Sequence, residues 1–426
     1  MLSHEAILHY IWKFKLFSLV DLKTIDGEEV QILSAGIHNL DAGPDFLNTK
    51  LKIGETLWAG NVEIHLKSSD WIKHQHQTDK SYDNVILHVV WDADAEIFRT
   101  DGTLIPTLAL KDRVDQNVVA NYEELKQNNY WIPCEKQLNV VNDLTKQQCL
   151  DRMMMERLEE KSKLILQLHQ NLKGSWEDTF YVTLAKSFGF KVNTLPFELL
   201  ALNLPQIILA KHKNQALQIE ALVFGVAGLL NQDFVDDYPK KLKSEFRFLK
   251  AKYKLNQLAP ELWKFSKTRP DNFPTMRLAQ FAALIIDSQH LFSKIIAIKE
   301  LDNFSIFFNN LTLNPYWRNH FVFDKQVSKQ SFFMGKKSVD VLLLNAIVPL
   351  LFFYGKQIGN PLYEEQAIKL LEFIKPEQNN IITGFIERGF KVSHAFDTQA
   401  LIQLKKYYCD DKKCLNCAIG LKILRS

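Results

Sequence analysis

The sequence has no long uninterrupted hydrophobic run and no secretory leader pattern. The most apolar stretch, residues 341–355, is shorter than the roughly 18 residues that span a bilayer, and it contains Asn345 and Pro349. The N-terminal residues alternate charged with apolar side chains, which is not the pattern of a signal peptide. We therefore expect a cytoplasmic protein that does not associate with a membrane.

The chain also has little net charge and few cysteines. A formal charge of +3 on 426 residues predicts no nucleic-acid binding from the overall field, so any such surface must come from local clustering. Five cysteines are too few for a disulfide framework in a chain of this length. With 46% hydrophobic and 24% charged residues, the composition is that of a globular protein of two or three domains.

What is present divides the chain into two patterns. Apolar spacing predicts a first helix over residues 3–22, with Ser3 and Glu5 at its start. Short alternating or β-branched runs follow, "VQILSAGI", "LNTKLKI", "TLWAGNVEIHL", "NVILHVVW" and "AEIFRT", with a hairpin turn at "IGET" and a short helix or loop over residues 68–83. Helical spacing takes over downstream. The sequence predicts an α+β protein, with an α/β domain over residues 1–130 and a helical domain over residues 144–426.

Charged side chains occupy one face of the third predicted strand. Because side chains alternate along a strand, Glu63, His65 and Lys67 project to one side. Asp45 precedes the neighbouring strand, and a hairpin between the two brings its carboxylate toward Glu63. Paired carboxylates repel unless a cation lies between them, so this pattern predicts an oxygen-ligand site for Mg²⁺ or Mn²⁺. A neighbouring Lys or His would then orient or deprotonate an attacking water.

The order helix, strand, "PD", strand, acidic third strand, helix, strand is similar to the αβββαβ core of the PD-(D/E)XK nuclease superfamily. The resemblance implies a restriction-endonuclease-like domain in which Asp45 and Glu63 bind the metal and His65 stands where the superfamily has Lys. Lys67 restores an amine two positions further on, and Glu5 stands where some members carry a Glu in the first helix. The implied activity is metal-dependent cleavage of DNA or RNA.

The whole chain also resembles a family of uncharacterised bacterial proteins known as a domain of unknown function. The resemblance runs through "AGPDF", "GNVEIHL", "SSDW", "HVV" and the cysteine-bearing tail. It implies no activity.

Two other interpretations of the strand residues remain open at the sequence level. A Glu, His and Lys that alternate on a strand are also the ordinary pattern of a solvated sheet face. The histidines, in turn, crowd into the first 90 residues, with "HQHQTD" (His74, His76 and Asp79) and His88 among them. Such crowding is also typical of a His/carboxylate transition-metal site, in a hydrolase of another type.

The tail "CDDKKCLNC" spaces Cys409, Cys414 and Cys417 so that the three sulfurs can converge on one zinc ion or one iron–sulfur cluster. Cys134 is the best remote candidate for a fourth ligand, whereas Cys149 has the pattern of a small core residue. One upstream and three C-terminal cysteines resemble the iron–sulfur staple of some PD-(D/E)XK exonucleases, although the spacing differs. Three reduced cysteines without a ligand are the alternative.

The leading hypothesis is therefore a metal-dependent nuclease. The rival is a nucleic-acid-binding or scaffold protein that keeps a nuclease-like fold without catalysis, with its cysteines as a structural zinc or iron–sulfur clip. The His at position 65 is the feature that favours the rival.

Overall fold

The computed structural model describes residues 4–266, 268–288, 290–309, 311–328 and 333–426. Packing separates the chain into two units. The first, which we call the sheet unit, comprises Met1–Met153, Thr383–Phe390 and Leu401–Ser426; the second, the helical unit, comprises Met154–Ile382 and Lys391–Ala400. With 56% of the structure helical and the main sheet at the N-terminus, the predicted α+β class is confirmed.

The sheet unit opens with one helix and a six-stranded sheet, whose elements are α1 (Glu5–Phe14), β1 (Val30–Ser34), β2 (Ile37–His38), β3 (Phe46–Ile53), β4 (Thr56–Lys67), α2 (Asp70–Lys73), β5 (Val85–Asp92) and β6 (Thr107–Ala109). The strand order is β1-β3-β4-β5-β6, and β2 pairs with β3 off this path. Strands β1, β3 and β4 are antiparallel neighbours, whereas β5 runs parallel to both β4 and β6.

Local sequence explains the centre of this sheet. Gly54 takes a left-handed φ of 56° in the turn between β3 and β4, which confirms the hairpin predicted at "IGET". Strand β5 is buried along nearly its whole length, as expected of a parallel strand covered on both faces. Helix α1 packs on β4 through an apolar stripe that includes Ile7, Leu8 and Ile11.

Three details of the predicted element order are wrong. The first helix ends at Phe14, because Lys15 adopts a left-handed φ of 52°; the predicted start at Ser3 lies outside the described residues. The run "VQILSAGI" breaks into β1 and β2 at Gly36, where φ is 85°. The run "AEIFRT" contributes only an isolated bridge from Phe98 to Leu104, and the last sheet strand is instead β6.

The remaining helices are α3 (Gln116–Gln127), α4 (Asp143–Asn171), α5 (Trp176–Phe188), α6 (Thr194–Asn203), α7 (Gln206–Ala210), α8 (Ala216–Val226), α9 (Asp237–Tyr253), α10 (Pro274–Asp287), α11 (Leu291–Ala297), α12 (Leu301–Asn309), α13 (Lys336–Leu342), α14 (Val348–Ile358), α15 (Pro361–Phe373), α16 (Asn380–Glu387), α17 (Ala395–Leu404) and α18 (Ala418–Leu424). Short 3₁₀ turns cover His76–Thr78, Lys80–Tyr82, Glu135–Val140, Pro260–Leu262, Pro270–Asn272, Pro315–Arg318 and Cys414–Asn416, and π-helical turns cover Leu343–Ile347 and Lys405–Cys409.

The helical unit also contains a small hairpin of β7 (His320–Val322) and β8 (Lys325–Gln326). Its core pairs α5 with α6, α8 with α9 and α14 with α15. The run Lys336–Ile358 is long and apolar enough to cross a membrane, but 72% of its most apolar window is buried inside the protein. The cytoplasmic location and the lack of membrane association stay predictions.

Candidate metal centre on the N-terminal sheet

Asp45 and Glu63 meet where β3 begins beside the middle of β4. Phe46 pairs with Val62 in the antiparallel register, so the residue before β3 lies next to Glu63. The backbone N–H of Asp45 donates to Glu63 Oε2 at 3.1 Å, and the N–H of Ile64 donates to Asp45 Oδ2 at 2.9 Å. Each carboxylate is thus held by the backbone of the other strand, and the structure brings together the two acids that the sequence paired.

His65 lies beside Glu63 inside the protein. The two side chains belong to residues only 1% and 5% exposed, so they do not form the solvated sheet face that was the open alternative. His65 Nε2 is 3.6 Å from Glu63 Oε1, and His65 Nδ1 is 2.8 Å from His88 Nε2 on β5. Burial lowers the pKa of His65 to about 3, helped by His74 and His76, so its imidazole is neutral in the absence of a ligand. Because burial disfavours the charged form of either group, it raises the pKa of the Glu63 carboxyl.

Two more histidines reach this cluster from the segment after β4. His74, at the end of α2, places Nδ1 3.0 Å from His65 Nε2. His76 places Nε2 3.4 Å from Glu63 Oε1, and its ring stacks on Tyr82 at 3.8 Å between centroids. Ligand nitrogens of these three histidines all lie within 4.8 Å of one another. The sequence indicated a histidine site here, but gave no sign that it would share Glu63 with the carboxylate pair.

Helix α1 contributes a further acid and a further imidazole. His9 Nε2 is 3.3 Å from Asp45 Oδ2. Burial alone would lower the pKa of His9, but the bond and charge of Asp45 outweigh it and the pKa is raised. Glu5, one turn earlier, is half-buried; burial raises its pKa, and Asp45 and His9 are within electrostatic reach. Sequence reasoning missed His9, whose four-residue spacing from Glu5 places both side chains on one helix face but does not indicate Asp45 as a partner.

Two residues singled out from the sequence lie apart from this cluster. Lys67 shares the strand face of His65, but its side chain is 50% exposed and its Nζ lies 3.9 Å from Asp94 Oδ2. Asp79 is exposed, and its carboxylate accepts a hydrogen bond from Ser81 N to cap the turn Lys80–Tyr82. Imidazoles, and not an amine, are therefore the basic groups that contact the paired carboxylates.

The cluster has the donors of a cation site. Glu63 Oε1 lies 3.4 Å from His76 Nε2 and 3.6 Å from His65 Nε2. His76 Nε2 is buried, and its contact with Glu63 does not have the geometry of a hydrogen bond. Buried polar atoms of this kind are ordinarily satisfied, and a cation among them would accept the lone pairs of all of them. Mixed nitrogen and oxygen donors suit Mn²⁺, Fe²⁺ or Zn²⁺ better than Mg²⁺, which prefers oxygen alone.

The cysteines named from the sequence also lie together, in the sheet unit. All five are free, and Cys134, Cys414 and Cys417 are buried whereas Cys409 is partly exposed. Cys149 Sγ, assigned from the sequence to the core, is indeed buried but lies 3.9 Å from Cys417 Sγ.

No curated protein and no solved structure matches this chain. The resemblance to an uncharacterised family is confirmed. Residues 5–380 match the family described as "Protein of unknown function (DUF2851)", and since the match spans most of the chain, the protein belongs to that family.

Proposed function

We propose that the protein is a metal-dependent nuclease that hydrolyses phosphodiester bonds in DNA or RNA. The observation that carries the proposal is the contact of Asp45 with Glu63 across the β3–β4 pair, each fixed by a backbone N–H of the other strand. The order of elements supports it: α1, the antiparallel strands β1, β3 and β4, the short helix α2, and β5 parallel to β4. This is the order that the PD-(D/E)XK resemblance implies.

In this proposal Asp45 and Glu63 hold the divalent cation, Mn²⁺ or Mg²⁺. A cation held there would lower the pKa of a bound water and would neutralise charge that develops on the phosphate. Neutral His65 would position the attacking water, the part that the superfamily gives to Lys, because its Nε2 lies 3.6 Å from Glu63 Oε1. With a pKa of about 3 it would be a weak proton acceptor. Glu5 is a further candidate acid, since its carboxylate lies within electrostatic reach of Asp45.

A second candidate rests on the three grouped histidines. Imidazole nitrogens of His65, His74 and His76 within 4.8 Å of one another form a donor set for zinc, iron or manganese. Such a centre would serve a metal-dependent hydrolase of another type. The non-catalytic scaffold is the remaining rival, and it predicts a metal that binds without any turnover.

The test is a cleavage assay on single- and double-stranded DNA and RNA with Mg²⁺, Mn²⁺, Zn²⁺ or Fe²⁺. We expect cleavage with Mn²⁺ that falls to background in Asp45→Asn and Glu63→Gln. Glu55→Gln is the matched control, because it removes an exposed carboxylate from the same hairpin. Cleavage that persists in both site variants would refute the assignment. Tight metal binding with no cleavage of any of these substrates would favour the second candidate or the scaffold.

A further inference from the structure

A cavity of about 550 Å³ lies within the helical unit. Helices α4, α5 and α6 line it, together with α13, the π-helical turn Leu343–Ile347 and α14. Its volume is within the range of about 300 to 1,000 Å³ in which proteins bind small organic molecules. The apolar part of its wall consists of Leu164, Ile165, Leu168, Phe190, Val341 and Pro349. The cavity therefore offers an apolar surface to a ligand.

One amine in the cavity wall has no acidic partner. Lys161, on α4, is half-buried, and its Nζ donates to Leu344 O at 3.1 Å and to Asn345 Oδ1 at 3.2 Å. Among the residues that the structure describes, these two neutral oxygens are its hydrogen-bond acceptors, and no carboxylate forms an ion pair with it. A lysine ammonium has three N–H donors, so one remains for a ligand. Because burial of an unpaired charge is costly, an anion in the cavity would be stabilised beside Lys161.

Other charged groups of the wall are engaged with neighbouring side chains. Lys186 Nζ, on α5, lies 3.0 Å from Glu198 Oε2 on α6. Glu377 Oε2 accepts a hydrogen bond from Gln399 Nε2. With three lysines and two glutamates in its wall, the cavity has a net positive charge of one. A ligand with a single negative charge complements this wall.

The backbone beside Lys161 is irregular in two places. Both acceptors of the amine belong to the π-helical turn, and π turns within helices are frequent at functional sites. The side chain of Asn345 is oriented by its Nδ2, which donates to Val341 O at 3.0 Å and so directs Oδ1 to the amine. Across the cavity wall, Phe190 has a left-handed φ of 51°, which is uncommon for an aromatic residue. Both irregular segments line the same cavity.

We propose that this cavity binds a small organic carboxylate with an apolar chain. The carboxylate pairs with Lys161, and the chain packs on Leu164, Ile165 and Leu168, which follow Lys161 along α4. One carboxylate matches the single amine that has no acidic partner. The site belongs to the helical unit, and the proposal does not depend on whether the carboxylate–histidine cluster cleaves nucleic acid.

The protonation of Lys161 makes this binding depend on pH. Burial lowers the pKa of Lys161 to about 7, with a further contribution from Arg157 and an opposing one from Glu377. The other charged side chains of the wall are Lys186, Lys191 and Glu198. A bound carboxylate stabilises the protonated amine, so binding takes up a proton. The affinity should therefore fall as the pH rises above about 7.

The test is isothermal titration calorimetry of the full chain with decanoate, with decanol as the neutral counterpart and acetate as the counterpart without an apolar chain. At about pH 6 we expect decanoate to bind with a Kd below about 100 µM, and both counterparts to bind at least about tenfold more weakly. Between about pH 7 and pH 9 the affinity for decanoate should fall about tenfold or more. Decanoate that does not bind below about 1 mM, or a counterpart that binds as tightly, overturns the proposal.

Variants on α4 then test the two parts of the site. Lys161→Met should weaken the binding of decanoate at least about tenfold, because it keeps the apolar stem and removes the charge. Lys163→Met is the matched control, since this exposed lysine of the same helix is not part of the cavity wall. Leu164→Ser removes an apolar side chain that is 65% exposed, and it should weaken the binding while the pH dependence stays. Binding by Lys161→Met that equals the wild type, or an equal loss in Lys163→Met, overturns the assignment.

Because Lys161→Met can fail to fold, Lys161→Arg provides a second measurement. Arginine keeps a positive charge at every pH used, so this variant should bind decanoate at about pH 6 within about threefold of the wild type and should keep that affinity at about pH 9. A decline with pH as steep as that of the wild type would show that another group controls the binding, and it would contradict the role of Lys161.

Discussion

Glu63→Gln should make the metal-free protein more stable and the metal-bound protein less stable. The substitution removes one charge from a residue that is only 5% exposed, while the side-chain oxygen can still accept the hydrogen bond from Asp45 N. In the absence of a cation, the wild-type carboxylate is buried next to a second one, and burial raises its pKa. The neutral amide avoids the free-energy cost of burying a second negative charge. The carboxylate of Glu63 therefore stabilises the native state only when a cation is bound.

Two opposing magnitudes follow. Replacement of a whole buried ion pair by neutral residues of similar volume is often neutral or stabilising, by about 1 kcal/mol at the low end, and we expect a gain of the same order when one of two neighbouring carboxylates is removed. A cation supplied at 100 times its dissociation constant stabilises the wild type by about 2.7 kcal/mol. For a unit of roughly 150–250 residues, that stabilisation corresponds to an increase in Tm of about 5 to 10 °C. The metal-induced increase should disappear in Glu63→Gln.

The assay is thermal unfolding of wild type, Glu63→Gln and Glu55→Gln with and without Mn²⁺, after removal of metal with a chelator. Glu55→Gln should shift with Mn²⁺ as the wild type does, because its carboxylate is 97% exposed on the same hairpin. The reasoning is refuted if Glu63→Gln keeps the Mn²⁺-induced shift. It is also refuted if Glu63→Gln lowers the metal-free free energy of unfolding by 2 kcal/mol or more, since the carboxylate would then be a structural group.

Three further predictions concern other positions. Lys67→Ala should keep the metal-dependent cleavage and lose at most about 1 kcal/mol of unfolding free energy, because its amine pairs with Asp94 in solvent; a cleavage rate reduced 100-fold would return Lys67 to the site. Gly36→Ala should lower the free energy of unfolding by more than left-handed backbone strain alone, which costs about 1 to 3 kcal/mol, because the new Cβ would lie 2.4 Å from Thr49 Oγ1. Gly27→Ala is the control, since Gly27 has a similar φ of 86° and its Cβ would meet nothing within 4 Å. Equal chemical-denaturation midpoints for the two variants would contradict this. Burial raises the pKa of Glu220 from 4.5 to about 7, so the native state binds this proton more tightly than the unfolded state does. The protonated side chain therefore contributes up to about 3 kcal/mol to the free energy of unfolding below pH 4.5, and this contribution is lost as the pH rises through 7. Glu220→Gln should remove that pH dependence from urea unfolding curves.

The strands of the sheet were predicted correctly where the alternation of apolar and polar residues and the turn residues indicated the same element. The hairpin at Gly54 and the buried run of β5 followed from local residues alone. The break at Gly36 did not, because it depends on the approach of Thr49 from the neighbouring strand. The same holds for "AEIFRT", whose alternation is strand-like although only Phe98 makes a bridge, to Leu104.

The candidate site shows the same division. Alternation and the hairpin were enough to pair Asp45 with Glu63, since both depend on adjacent strands. His9 was missed because its contact with Asp45 requires the docking of α1 on β4, which no local pattern specifies. Lys67 was misleading for a related reason: strand period fixes the face of a side chain, but at the end of β4 a long flexible amine is free to turn toward Asp94.

The histidine at position 65 follows from the packing of the strand beside it. Its ring is 1% exposed and contacts His88, which is fully buried on β5. An ammonium group at this place would be desolvated among the imidazoles of His74, His76 and His88, and even with Glu63 as its ion-pair partner this desolvation costs several kcal/mol. A neutral imidazole fits the same space and keeps one nitrogen toward Glu63. A buried setting therefore favours His over Lys here on physical grounds alone, so the departure from the nuclease pattern does not by itself indicate lost catalysis.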